Sequence, residues 1–154
     1  MSTVAPMVLI DSREKCPLVF SGAVHTRSAL LPVGDYTLEG SEHCFVVERK
    51  RLNEYATCCT SDHKRFMAQV ERMLPIANRC IVVEGDFYDI VTHAYNTEAH
   101  PNAIIACTCK LVELNVPILW CGKDPRGAAA MVERLVLREF KKQKDVAHLT
   151  TDVC

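Results

Sequence analysis

Phe45–Lys50 reads FVVERK, an apolar run that closes on three consecutive charges. In an extended chain successive side chains leave opposite faces, so Glu48 and Lys50 share one face and Arg49 takes the other. Charges at the end of such a strand mark the place where loops and side chains converge. The neighbouring elements decide what they converge on.

Upstream, MVLI (Met7–Ile10) predicts a short buried strand, and SALLPVGDYTLEG (Ser28–Gly40) with HCFVVERK (His43–Lys50) predicts two more, joined at the turn Gly40-Ser41. From Asp62 the period changes. Phe66, Val70, Met73 and Leu74 fall on one face of a helix with Asp62 at its N-cap and Pro75 near its end. CIVVEG (Cys80–Gly85) resumes the sheet, Phe87 to His93 predicts a helix, and NAIIACTCKLVEL (Asn102–Leu114) predicts one that is apolar almost all round. VPILWC (Val116–Cys121) is the fifth strand. Ala128, Met131, Val132, Leu135 and Val136 keep helical spacing from a start at Asp124-Pro125. This alternation predicts an α/β fold, a central mixed sheet flanked by helices.

A chain of 154 residues suits one domain, expected over residues 1–145, with a flexible polar tail over 146–154. No leader pattern and no apolar run of bilayer length is present, so a soluble, intracellular protein is expected, nuclear or cytoplasmic according to its host. Nine cysteines, an odd number without regular spacing and without any C-x-x-C pair, point to free thiols rather than a disulfide framework or structural zinc. With a formal net charge of −1 the whole molecule does not attract a polyanion, so any nucleic-acid footprint has to be local. The local basic clusters are Arg49-Lys50-Arg51 and Lys141-Lys142-Gln143-Lys144.

A hairpin through Gly40 brings Gly34-Asp35 towards Glu48. Two carboxylates and a lysine at a strand end are what phosphodiester hydrolysis uses: hard oxygen donors for Mg²⁺ or Mn²⁺, and a cation beside the phosphate or the attacking water. Asp11, with Arg13 and Glu14, follows the first strand, and Glu54 lies one helical turn past Lys50. On spacing alone, the same charges more readily suit an ordinary solvated strand end.

Taken in order, VLIDSRE (Val8–Glu14), LPVGDY (Leu31–Tyr36), VVERKRLNE (Val46–Glu54), HKRFMAQVERML (His63–Leu74) and IVVEG (Ile81–Gly85) resemble the nuclease domain of the XPF family of structure-specific DNA endonucleases. NVPILW (Asn115–Trp120) and RGAAAMVERL (Arg126–Leu135) extend the resemblance over most of the chain. The family signature is G-D, a variable gap, then E-R-K-x-x-x-D. Here it reads Gly34-Asp35, then Glu48-Arg49-Lys50, with Glu54 at the last position.

The resemblance implies a restriction-endonuclease-like nuclease fold. It also implies that Asp35 and Glu48 hold Mg²⁺, for which Mn²⁺ substitutes, that Asp11 is a further metal-associated catalytic carboxylate, and that Lys50 positions water or phosphate. Arg13, Glu14, Arg49 and Glu54 would support the site. Arg49, Arg51, Arg65 and Gln69 would contact DNA. The implied substrate is branched DNA at a flap, fork or junction, and the implied partner is a second subunit, making a homodimer or heterodimer through Ile104 to Leu114 and Ala128 to Phe140.

Two departures stand out. Glu54 replaces the family's Asp with a longer carboxylate, and nothing after Lys144 matches the tandem helix-hairpin-helix module that family members commonly append. Two alternatives accompany the leading reading: a non-catalytic DNA-binding partner of a larger nuclease, and a metal-dependent phosphodiesterase acting on a small nucleotide.

Overall fold

A computed structural model describes residues 4–151. Its sheet contains β1 (Met7–Asp11), β2 (His25–Ala29), β3 (Tyr36–Leu38), β4 (Phe45–Arg51), β5 (Asn78–Glu84) and β6 (Ile118–Trp120). The helices are α1 (Leu52–Cys58), α2 (His63–Met73), α3 (Phe87–Val91), α4 (Pro101–Glu113) and α5 (Pro125–Thr151). Strand order is β2-β1-β3-β4-β5-β6. The sheet is mixed: β3 runs antiparallel to both β1 and β4, whereas the β1–β2, β4–β5 and β5–β6 pairs are parallel.

The period-2 pattern of β4 and β5 sorts their side chains between two cores. Val46, Ile81 and Val83 pack with Tyr55, Phe66, Val70, Ile104 and Leu111 from α1, α2 and α4. Val47 and Val82, with Val8, Ile10, Tyr36 and Leu38, pack against Ala128, Val132 and Val136 of α5. Both faces of the central strands are therefore dry, which is why β4 opens on Phe45-Val46-Val47 and β5 runs Cys80-Ile81-Val82-Val83 before their charged ends.

The sheet has six strands rather than the five expected. Ser28–Gly40, read as a single strand, belongs to two: Ser28 and Ala29 end β2, and β3 begins at Tyr36. The chain between them passes Pro32, which cannot donate to a ladder, and Gly34, which has a φ of 73°. A Cβ at Gly34 would lie 2.1 Å from Val46 Cγ2, so both the backbone conformation and the space require glycine there.

Asp62 stands at the N-cap position of α2 without capping it; its carboxylate pairs instead with Arg65, 3.0 Å away. Asp124 does accept from the backbone amide of Arg126, 2.9 Å, at the start of α5. α4 is buried on one side only, by Ile104, Cys107 and Leu111; Ala103, Ala106, Cys109, Lys110, Val112 and Glu113 are exposed. The segment read as a tail from residue 146 is helical as far as Thr151, and residues 152–154 lie outside the described part of the chain. No helix among the described residues is long and apolar enough to cross a membrane.

Candidate active site at the ends of β1, β3 and β4

Sheet register creates the site. Ile10 pairs with Tyr36, and Tyr36 pairs with Val47, so one residue further along these antiparallel strands Asp11, Asp35 and Glu48 form a row across three neighbours. The Asp11 amide donates to the Asp35 carbonyl at 2.8 Å, and the Asp35 amide donates to Val47 at 2.9 Å. Since Val8 and Ile10, Tyr36 and Leu38, and Phe45 and Val47 all face α5, the alternate positions bearing the three acids point to the side of α1 and α2. Lys50 shares that side.

Asp35 is half-buried, and its Oδ2 accepts from the Arg49 backbone amide at 2.8 Å. Burial, reinforced by the neighbouring Glu48 charge, pushes its pKa up to about 8. Glu48 is buried, and loss of solvent raises its pKa even though Lys50 Nζ, 2.9 Å away, pulls in the other direction. Burial works against the Lys50 ammonium, but Glu48 and Glu54 outweigh it and hold the lysine above its ordinary value. Lys50 Nζ lies 3.3 Å from Glu54 and 6.0 Å from the centre of the Phe66 ring, so it is charged and held on three sides. Glu54 also accepts from the Arg51 amide at 3.4 Å, linking the lysine's partner to the first turn of α1.

Asp11 is buried and fully engaged. It accepts from Arg13 Nε at 2.9 Å and from the Leu31 amide at 3.1 Å. Arg49 projects to the opposite face, where it meets Glu84 and donates to the Cys16 carbonyl at 2.5 Å; Glu14 is 3.6 Å away. On that side Tyr36 accepts from the Leu18 amide at 2.9 Å and donates to Glu14 at 3.3 Å. The Cys16–Leu18 loop is thereby fastened beneath the strand ends.

The site residues expected from the sequence border one open cleft of about 1040 Å³, but Arg49, expected to contact DNA, turns its guanidinium away from it onto Glu84 and the Cys16 carbonyl. Asp11, Arg13 and Glu14 come from the end of β1 and its loop; Asp35 precedes β3. Glu48, Arg49, Lys50, Arg51 and Glu54 come from β4 and α1, and Arg65 and Gln69 from one face of α2. The C-terminal ends of α2 and α4 are tied together by Arg79, whose guanidinium donates to the carbonyls of Leu74, Ile76 and Leu114. The wall formed by α2 is thus anchored at its far end.

Three lining or supporting residues escape the sequence reading. Glu84 pairs with Arg49, and its sequence signal was a buried strand, IVVEG, ending on a carboxylate as β4 ends on charges. Lys15 and Arg72 also line the cleft, and nothing in their local sequence distinguishes them from surface cations.

Among the described residues, no three His, Cys, Asp or Glu side chains converge as a ready-made metal cage. Asp35 and Glu48 nevertheless fit a hard divalent cation. They are adjacent oxygen donors whose mutual repulsion a cation would relieve, and Mg²⁺ uses one or two carboxylates while keeping several waters.

The fold is a mixed α/β sheet with a cleft of acids and a buried lysine at its strand ends. Among solved structures it is similar to XPF from Aeropyrum pernix, with a TM-score of 0.71 and 24% identity over 94% of this chain and 70% of that chain. No family model matches the sequence, and no curated protein matches it.

Proposed function

We propose that this protein is a divalent-metal-dependent endonuclease that cuts branched DNA at a flap, fork or junction. The observation that carries this reading is the Asp35–Glu48 pair with Lys50 Nζ 2.9 Å from Glu48, set in the open cleft of an XPF-like fold. Asp35 and Glu48 would hold Mg²⁺ or Mn²⁺, with Asp11 behind them. When bound, the ion supplies Lewis acidity at the phosphate and an acidified water.

The residues of the chain supply the remainder. In the hydrolysis, water oxygen bonds to phosphorus, the P–O3′ bond breaks, and the products are a 5′-phosphate and a 3′-hydroxyl. Lys50, fully charged and pinned by Glu48 and Glu54, meets the negative charge that builds on the phosphoryl oxygens. Arg49 acts from below by fixing the strand end, since its backbone amide holds Asp35 and its guanidinium holds Glu84. Arg13 orients Asp11, while Arg51, Arg65 and Gln69 face the DNA.

We place the second subunit against α4 and α5, where Val112 and Met131 are exposed beside buried neighbours. Sedimentation at micromolar concentration tests this: a dimer is expected, and a strict monomer rejects it.

Purified protein incubated with labelled fork, flap, four-way-junction and linear DNA, in Mg²⁺, Mn²⁺ or EDTA, tests the activity. Metal-dependent cuts near the branch that Asp35→Ala protein fails to make are expected. Binding without cutting would favour the non-catalytic partner; cleavage confined to small nucleotide diesters would favour the phosphodiesterase.

A further inference from the structure

Seven lysines and arginines line the cleft, and five of them are already held by carboxylates. Arg13 is held by Asp11, Arg49 and Arg51 by Glu84, Lys50 by Glu48 and Arg65 by Asp62. The remaining two, Lys15 and Arg72, are exposed, and their side chains have no ion pair or hydrogen bond among the described residues.

That difference has an energetic consequence. A paired cation meets a phosphate only by sharing or releasing its carboxylate, so much of its Coulombic gain is cancelled; an unpaired one offers its full charge. The two unpaired cations come from separate walls. Lys15 lies in the loop after β1, next to Cys16, whose carbonyl Arg49 holds. Arg72 stands on the α2 face that carries Arg65 and Gln69, with only the small Ala68 among the lining residues between them. Two turns of helix put Arg72 about 10 Å from Arg65 along the axis.

We propose that Lys15 and Arg72 are positioning residues that grip the sugar-phosphate backbone of the cut strand on the flanks of the scissile phosphodiester. This rests on the nuclease reading and deepens it: the paired cations shape the site and the unpaired ones hold the polyanion. Contacts of this kind fix the register of a nucleic acid without reading its bases. They therefore suit recognition of a branch rather than a sequence.

The test measures binding of a fluorescent fork DNA by the full chain across a salt series, with Ca²⁺ in place of Mg²⁺, and cleavage in Mg²⁺. Lys15→Ala and Arg72→Ala are each expected to flatten the log Kd against log salt slope by about 0.7 to 0.9, one phosphate's worth. The double variant should flatten it by about twice that. KM should rise severalfold while kcat is nearly unchanged, and Arg72→Lys should recover most of the slope. Lys64→Ala removes the same charge from an exposed site on α2 outside this cleft, and should leave slope and KM unaltered. Wild-type protein that cuts the fork while Lys15→Ala and Arg72→Ala keep its salt slope would overturn this inference alone. Wild-type protein that neither binds nor cuts any DNA would overturn the nuclease reading and this inference with it.

Discussion

Arg49 Nη2 lies 2.6 Å from Glu84 Oε1 across the parallel β4–β5 pair, and the two side chains are 6% and 5% exposed. Neither charge has water to fall back on. Removing Glu84 leaves Arg49 buried with only Glu14, 3.6 Å away, to compensate it, and breaking a buried pair costs about 3–5 kcal/mol. Glu84→Ala is therefore expected to lower unfolding free energy by about that amount in urea titration. Because the same guanidinium holds the Cys16 carbonyl, hydrogen exchange should also rise in the loop over residues 12–18. A change below about 1 kcal/mol would show that Arg49 finds another partner at little cost.

Gly34→Ala combines a left-handed backbone conformation with a Cβ placed 2.1 Å from Val46 Cγ2. Val46 is a core residue, 1% exposed. The combined strain is expected to destabilise the fold by at least about 2 kcal/mol. Since Asp35 is the next residue, activity should fall further than the unfolded fraction accounts for. Parallel denaturation and cleavage assays separate the two effects.

Asp35 carries the pH dependence. Its pKa in the folded chain, about 8, is above its ordinary value of 3.8, so the folded protein retains a proton that the unfolded chain releases. In EDTA, this group's contribution to stability should be complete below about pH 4 and decline as pH rises towards 8. Asp35→Asn should remove that part of the slope in thermal melts recorded across this range. A slope identical to wild type would contradict the pKa shift.

Lys50→Ala is expected to reduce kcat by a factor of about 100 to 1,000, the range for losing a group that stabilises charge in the transition state. Glu54→Gln should have a smaller effect, because Glu48 still holds the ammonium at 2.9 Å. Glu54→Asp, which supplies the Asp found in the XPF-family motif that the sequence resembles, should retain most of the activity. Equal kcat values for Lys50→Ala and wild type in single-turnover cleavage would remove Lys50 from the mechanism.

Asp35→Ala and Glu48→Ala should each abolish metal-dependent cleavage, and calorimetric titration with Mn²⁺ should show the loss of binding directly. The converse control is Cys16→Ser: the thiol is exposed, and Arg49 uses only the backbone carbonyl of Cys16. Its cleavage rate should match wild type.

Local periodicity by itself determined that Glu48 and Lys50 leave one face of β4 and Arg49 the other, that α2 buries Phe66, Val70 and Met73, and that α5 starts at Asp124-Pro125. Each of these follows from a dihedral repeat spanning a few residues, and a linear string contains that information. The break between β2 and β3 was also present, in Pro32 and Gly34, but was outweighed by the apolar residues around them. Only the tertiary structure decided which charge meets which. Glu84 reaches Arg49 through the β4–β5 pairing, and Lys15 and Arg72 are left without a carboxylate. It also decided that α4 is covered on one side, which a run of apolar letters does not reveal. The physical reason is range: a side chain's face is set by its own backbone, whereas its partner and its dielectric surroundings are set by the register of strands distant in sequence.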